Sequence, residues 1–202
     1  MFEDFVWFGT DIKEKLDIAR KLGFSRLNVV FEMKGIDAAL KGLDDIKDNE
    51  IELQPFLSVN TKKDVQLAKR KKMGTIHVYD GARDPRDLIT GIDPDIITNL
   101  EYQKRDFMHH RSSGLNQITA KLIAERGIIL GFNIGFLTST KYKGEVMGRM
   151  SQNLYLSRKY GITIKAFSLA RAWNGMSSPK DIISLLNVMG ADQKSAKEAL
   201  NG

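Results

Sequence analysis

Short apolar runs rich in β-branched residues alternate along this chain with segments of helical periodicity. Continuous apolar runs of this length are typical of strands that are buried on both faces of a parallel sheet. The pattern predicts strands over residues 4–8, 26–31, 51–57, 75–79, 95–99, 128–134 and 162–168. Helices are predicted over residues 11–22, 36–47, 61–72, 85–91, 114–126, 143–160, 179–189 and 192–200.

Regular alternation of strands and helices predicts an α/β fold, either a (β/α) barrel or an open doubly wound sheet. Seven strands leave both architectures open. No linker rich in Pro, Ser or Gly interrupts the pattern, so we expect residues 1–202 to form one domain. The connection over about residues 100–113 stands out because it is long, polar and basic. Connections that follow strands carry the functional sites of such folds, which makes this one a candidate.

The charge of the chain is distributed unevenly. Residues 1–60 contain 8 basic and 12 acidic side chains, whereas residues 61–202 contain 23 and 13. The excess of positive charge in the second segment suggests a polyanionic partner, and a solvated cationic surface explains it equally well. The chain has no Cys and no apolar run of membrane-spanning length, so we expect a cytoplasmic protein without membrane contact.

The residues needed for common catalytic chemistry are scarce. His77, His109 and His110 are the only histidines in the sequence, and they do not have the spacing of a metal site. Glycine-rich nucleotide-binding, P-loop and nucleophile-elbow motifs are absent from the sequence. We therefore expect neither a bound metal nor an organic cofactor. Asp84 precedes Pro85, a pattern that predicts a helix cap rather than a catalytic acid.

Two predicted helix starts are candidates for anion contact. Residues 112–114 supply two hydroxyls and a glycine directly after the basic residues 109–111, and this composition would leave backbone N–H groups open. Ser178 precedes Pro179 after the seventh strand, where (β/α) barrels often bind phosphate. A purely structural cap is the alternative for both starts.

The predicted helix over residues 143–160 adds a third candidate. Arg149 and Asn153 are four residues apart and share a face beside the apolar stripe of this helix. From that face the pair would reach a phosphate or a backbone carbonyl. An ion pair between Arg149 and Glu145 is the structural alternative.

A longer pattern resembles a known family. The residues HHRSSGLNQITAKL at 109–122, followed by GIILGFN at 127–133, resemble protein component 3 of archaeal ribonuclease P. RMSQN at 149–153 and the stretch 167–182 continue the resemblance, whereas the first 75 residues match only in layout. The segment before Pro179 departs from the expected pattern because it lacks a basic residue.

This resemblance implies a TIM-like (β/α) barrel that is distantly related to PHP-type phosphoesterases but lacks their metal site. It implies a non-catalytic subunit of a ribonucleoprotein that removes 5′ leaders from precursor tRNA. In that enzyme the RNA subunit is the catalyst and is expected to use Mg²⁺. The implied partners are the ribonuclease P RNA, protein component 2, other ribonuclease P proteins and, through the complex, precursor tRNA.

Most of the residues expected to contact RNA are cationic, and one organises a helix start. They are Arg83, Arg105, His110, Arg111, Asn116, Lys121, Arg149, Arg171 and Lys180. Asn116 is expected to orient the helix start, and the others to meet phosphates. The rival hypothesis is a small TIM-barrel enzyme that acts on a phosphorylated metabolite. In that case the helix start at Ser178 would hold the phosphate, and Asp80 or Asp84 would act as the base.

Overall fold

The computed structural model describes residues 1–46, 48, 50–102, 106, 108 and 111–201. Within them, seven parallel strands form one sheet whose strand order follows the chain order. The strands are β1 (Glu3–Trp7), β2 (Arg26–Phe31), β3 (Glu52–Ser58), β4 (Gly74–Val78), β5 (Ile96–Thr98), β6 (Ile129–Asn133) and β7 (Ile164–Phe167). The seven predicted strands are thereby confirmed.

Helices occupy the connections between the strands and the end of the chain. They are α1 (Ile12–Leu22), α2 (Ile36–Asp44), α3 (Lys62–Arg70), α4 (Pro85–Gly91), α5 (Gln117–Arg126), α6 (Ile134–Ser139), α7 (Lys143–Tyr160), α8 (Pro179–Val188) and α9 (Gln193–Glu198). A short 3-10 turn spans Trp173–Gly175. In the described part of the chain, no helix has the length and apolar character that crossing a bilayer requires.

Helix α6 was not predicted, because its apolar residues continue the apolar run of β6. Asn133 marks the change from strand to helix, since its side chain accepts a hydrogen bond from the N–H of Phe136. The predicted start of α5 at residue 114 was also wrong, because the helix begins at Gln117.

The sheet closes on itself between β1 and β7. Val6 forms a parallel bridge with Ala170, and the Trp7 N–H donates to the Ala170 carbonyl at 2.9 Å. The buried carboxyl of Asp4 accepts from the N–H of Ser168 at 2.7 Å and from its hydroxyl at 2.6 Å. Sequential order together with this closure makes the fold a TIM-like barrel, and excludes the doubly wound sheet, whose strand order reverses.

The inside of the barrel is a packed core. Phe5, Phe56, Ile76, Ile96 and Phe167 fill it, and the Phe5 ring lies 4.9 Å from Phe56 and 4.7 Å from Phe167, measured between ring centroids. The opposite faces of the strands pack against the helices in a second, larger apolar cluster. A ligand therefore finds room at the ends of the barrel or on its flanks, and the carboxyl ends of the strands are where barrels of this class carry function.

Candidate nucleic-acid interface

The end of the barrel at the carboxyl ends of the strands, here called the carboxyl face, carries four of the predicted cations. Arg83 lies in the β4–α4 loop, Arg111 in the β5–α5 connection, Arg171 in the β7–α8 loop, and Lys180 in the first turn of α8. All four side chains are exposed. Parallel strands bring these connections to one end, although they are far apart in sequence.

The remaining predicted residues are placed differently. Arg105 and His110 belong to the β5–α5 connection but lie outside the described residues. Lys121 is exposed on α5, one turn beyond the helix start. Asn116 caps α5, and Arg149 is buried on α7.

The side chain of Arg171 extends across the mouth of the barrel. Its guanidinium carbon lies 4.5 Å from the centroid of the Trp7 ring, and its Nη1 lies 3.6 Å from Glu32 Oε1. Trp7 is the last residue of β1 and Glu32 follows β2. The Arg171 side chain therefore reaches from the β7–α8 loop over the ends of β1 and β2. Arg171 keeps 72% of its side chain exposed, and Trp173, two residues later in the same loop, is 48% exposed. An exposed indole and an exposed guanidinium in one loop suit unpaired RNA, which combines bases for stacking with phosphates.

Lys15 fixes the loop that carries Arg171. Its side chain is fully buried, and Nζ donates to the Trp7 carbonyl at 2.8 Å, the Arg171 carbonyl at 2.7 Å and Asp11 Oδ1 at 2.9 Å. Burial by itself would raise the pKa of Asp11, but the hydrogen bond and charge of Lys15 lower it below its usual value. Sequence reasoning missed Lys15, and the signal available was its spacing of four residues from Asp11.

The β5–α5 connection is held against α7 by Arg149 and Asn153. Arg149 Nε donates to Asp106 Oδ1 at 2.7 Å, and its Nη1 donates to the Glu101 carbonyl at 3.1 Å. Asn153 Nδ2 donates to Glu101 Oε1 at 2.8 Å and to the Ser113 carbonyl at 2.9 Å. The predicted shared face of Arg149 and Asn153 exists, but it is turned toward the connection.

This burial corrects the role expected for Arg149. The residue is 4% exposed, so its guanidinium positions the connection and is not presented to a phosphate in solvent. Burial by itself would raise the pKa of Asp106, but the hydrogen bond from Arg149 lowers it below its usual value. The carboxylate that pairs with Arg149 at 2.7 Å belongs to Asp106 and not to Glu145, which was the expected alternative.

Arg111 is exposed, yet its guanidinium is anchored to α7. Its Nη1 donates to the Gly148 carbonyl at 2.9 Å. A Cβ atom at Gly148 would lie 2.5 Å from the Arg111 guanidinium carbon, so glycine at this position makes room for the arginine. The neighbouring Ser112 N–H donates to Asp106 Oδ1 at 2.8 Å, which ties the same segment to the ion pair with Arg149.

The helix start at α5 is organised by Asn116 and not by the serines before it. Asn116 Oδ1 accepts from the N–H groups of Ile118 and Thr119, at 2.9 and 3.0 Å. The Ser113 hydroxyl donates to the Leu115 carbonyl instead. Gly114 has a φ of +74°, and a Cβ there would lie 2.3 Å from the Leu100 carbonyl oxygen. The glycine therefore serves the path of the backbone, and the cap expected from the serine hydroxyls is supplied by Asn116 instead.

The groups required by the metabolite-enzyme hypothesis have structural partners. Ser178 caps α8, accepting from the Asp181 N–H at 3.2 Å and donating to the Asp181 carboxylate at 2.7 Å, which places negative charge where a phosphate would bind. Asp80 accepts from the Ala82 N–H, and Asp84 caps α4. In the residues described here, no three His, Asp or Glu side chains are grouped so that they could hold a metal ion.

Known proteins similar in sequence decide the family. Ribonuclease P protein component 3 of Methanosarcina mazei is 30% identical over 196 residues, which is 94% of this chain and 79% of that protein. The protein of the same name from Methanosarcina acetivorans is 32% identical over 108 residues, 50% of this chain and 45% of that protein. The chain belongs to the ribonuclease P protein component 3 family. No family model matches the chain.

Solved structures confirm the fold. A chain in a cryo-EM structure of archaeal ribonuclease P with mature tRNA superimposes with a TM-score of 0.71 at 15% identity, over 98% of this chain and 86% of that one. The N6-methyl-AMP deaminase of Arabidopsis thaliana superimposes with a TM-score of 0.61 at 9% identity, over 93% of this chain and 70% of that one. The predicted TIM-like barrel is thus shared with a ribonuclease P component and with a metabolic enzyme.

Proposed function

We propose that this chain is an RNA-binding subunit of ribonuclease P that acts in the cytoplasm on the 5′ maturation of precursor tRNA. The observation that carries the proposal is the 196-residue alignment with a protein component 3, which extends over nearly the whole chain. In this proposal the chain supports the catalytic RNA together with protein component 2 and other protein subunits. Endonucleolytic hydrolysis belongs to the RNA and its Mg²⁺, and the chain alone is inactive.

The carboxyl face is the proposed RNA surface. Arg83, Arg111, Arg171 and Lys180 supply exposed positive charge there, and each phosphate that they neutralise releases counterions. Arg105 and His110, which belong to the same connection in sequence, are also proposed to contact RNA, and Lys121 lies one turn into α5. Asn116 and Arg149 contribute by holding the helix start and the connection in place.

The acidic residues of the carboxyl face support the proposal that the isolated chain is inactive. Asp80 and Asp84 are engaged in a turn and a cap, and Asp181 is bound by Ser178, so these three acids have structural partners. A hydrolase would need at least one acid or histidine free to move a proton at the site of reaction. The proposed chemistry of this chain is therefore binding and positioning.

Reconstitution tests the proposal. The chain, the ribonuclease P RNA transcript and protein component 2 are combined, and cleavage of precursor tRNA is compared with mixtures that lack one component. We expect cleavage to require the RNA and to be increased by the chain, with none from the chain alone. Cleavage by the chain alone, or a reconstituted enzyme that is indifferent to the chain, would overturn the proposal.

A further inference from the structure

The buried contact between Glu101 and Asn153 leaves two polar atoms unsatisfied. Both N–H groups of Asn153 are used, one on Glu101 Oε1 and one on the Ser113 carbonyl. Within the part of the chain that the structure describes, Glu101 Oε2 and Asn153 Oδ1 have no hydrogen-bond partner, and both side chains are fully buried. Each such acceptor costs about 1–3 kcal/mol, so two on one pair of side chains require a common explanation.

A single proton on Glu101 would give both of these oxygen atoms a hydrogen-bond partner. A protonated carboxyl has an O–H donor, so a carboxylic acid and a primary amide can form two hydrogen bonds in a ring. One of these two bonds, from Asn153 Nδ2 to Glu101 Oε1, is already present at 2.8 Å. We propose that Glu101 is protonated and donates from Oε2 to Asn153 Oδ1, forming an acid–amide latch that fastens the β5–α5 connection to α7.

Burial favours the neutral carboxyl at Glu101, and the nearest positive charges are already engaged elsewhere. Arg149 faces it from α7, but its guanidinium is already paired with Asp106 of the connection. Arg111, also in the connection, directs its Nη1 to the Gly148 carbonyl. The two hydrogen bonds of Arg149 described above go to the Asp106 carboxylate and the Glu101 carbonyl, and neither of them goes to the Glu101 carboxyl. Burial raises the pKa of Glu101 to about 7, although the hydrogen bond from Asn153 and the charge of Arg149 oppose this.

The latch makes the position of the connection depend on pH. The pKa of Glu101 lies above its ordinary value of 4.5, so docking is strongest below about pH 4.5 and weakens as pH rises to about 7. Because one proton is involved, the docking equilibrium changes by up to about tenfold per pH unit in this range and levels off above it. The consequence for RNA rests on the proposed function, since the connection carries Arg111.

Hydrogen exchange tests the latch in the whole chain. The protection of backbone amides at residues 111–116 is measured between about pH 5 and about pH 8.5 and corrected for intrinsic rates. The wild-type protection is expected to fall toward pH 7 and then level off. Glu101→Gln replaces the acid by an amide that can donate to Asn153 Oδ1 at every pH, so its profile should be flat. Glu125→Gln, which makes the same charge change at an exposed position on α5, should follow the wild type.

A flat wild-type profile, or a Glu101→Gln profile that still falls toward pH 7, would overturn the latch. A second measurement does not depend on the variants. In infrared spectra of protein labelled with ¹³C at Glu alone, the carboxyl band of Glu101 is separated from the band of buried Asp4. A protonated Glu band that persists near pH 6 supports the latch, and its absence contradicts it.

Binding of the ribonuclease P RNA transcript is measured at the same pH values. If no RNA binds at any pH while the exchange profile behaves as expected, the proposed function fails and the latch stands.

Discussion

The ammonium group of Lys15 on α1 donates a 2.7 Å hydrogen bond to the backbone carbonyl of Arg171, which lies 156 residues later in the chain. The same group binds the Trp7 carbonyl and Asp11, so one buried lysine joins the first strand, the first helix and the loop after the last strand. The exposed guanidinium at the barrel mouth therefore depends on a residue that no ligand can reach.

Lys15→Met should loosen this loop. The substitution keeps the length of the side chain but leaves its acceptors without their donor, and we expect a loss of about 2–4 kcal/mol in the free energy of unfolding. Urea unfolding followed by circular dichroism measures the loss, and the fluorescence of exposed Trp173 reports on the loop. Lys13→Met, on the solvent side of the same helix, should change the free energy by less than about 0.5 kcal/mol. Equal effects of the two variants would contradict the role given to Lys15.

Gly148→Ala should weaken RNA binding without destabilising the fold. The added methyl group meets the guanidinium of Arg111, which can move away at little cost because it ends a flexible side chain. Loss of one anchored contact is expected to reduce RNA affinity by about threefold to tenfold. Gly144→Ala is the matched control, since a Cβ there has no atom within 4 Å among the described residues. Affinities for the ribonuclease P RNA transcript that are unchanged in both variants would show that the Arg111 anchor is not used.

Removing Arg111 and Arg171 together should reduce RNA affinity more than removing Lys71 and Lys72. Lys71 and Lys72 follow the end of α3, and Lys71 is already paired with Asp37, which reduces the charge that this pair offers to a phosphate. For each arginine that contacts a phosphate, the slope of log K against log salt should become shallower by about 0.7–0.9. Titrations at several salt concentrations measure both quantities. A larger effect from the lysine pair would indicate a diffuse surface instead of the carboxyl face.

The barrel seam should be sensitive to Asp4. Asp4→Ala removes the acceptor of the Ser168 N–H and hydroxyl and of the Phe5 N–H, and should cost about 3–5 kcal/mol. Asp4→Asn should cost less, because an amide oxygen can accept the backbone bonds and Ser168 can accept from the amide. Burial raises the pKa of Asp4 to about 7, so its contribution is greatest below about pH 3.8 and declines as pH rises to about 7. Denaturant titrations at two pH values compare the variants, and equal losses for Ala and Asn would contradict this account.

The strands could be predicted because their apolar runs are short, β-branched and separated by polar helices. The closure of the barrel could not, since it depends on a contact between residues 4 and 168 that no local pattern records. The orientation of Arg149 was missed for a related reason. Helix α7 buries polar residues such as Asn153 and Ser157 alongside Met150 and Leu154, so hydropathy does not distinguish its inward faces.

The site residues were predictable to different degrees. Asp84 was identified as a cap because it precedes a proline, and the structure confirms it. For Ser178 the same pattern left a cap and an anion site open, and the structure shows the cap. The acid–amide contact had a weaker signal, which was an acid three residues after the buried strand β5, at Glu101. Its partner on α7 is 52 residues away, so sequence spacing gave no reason to join them.

The seam between β1 and β7 also determines when the fold can be completed. Strand β1 gains its second neighbour only when the segment around Ser168 and Ala170 is in place, and Ser168 lies 164 residues after its partner Asp4. Until then β1 has an open edge, and open edges are sites at which strands of other chains can pair. Contacts of such long sequence separation form slowly, so we expect the closure of this seam to be a late step of folding, and β1 to remain available to other chains until it occurs.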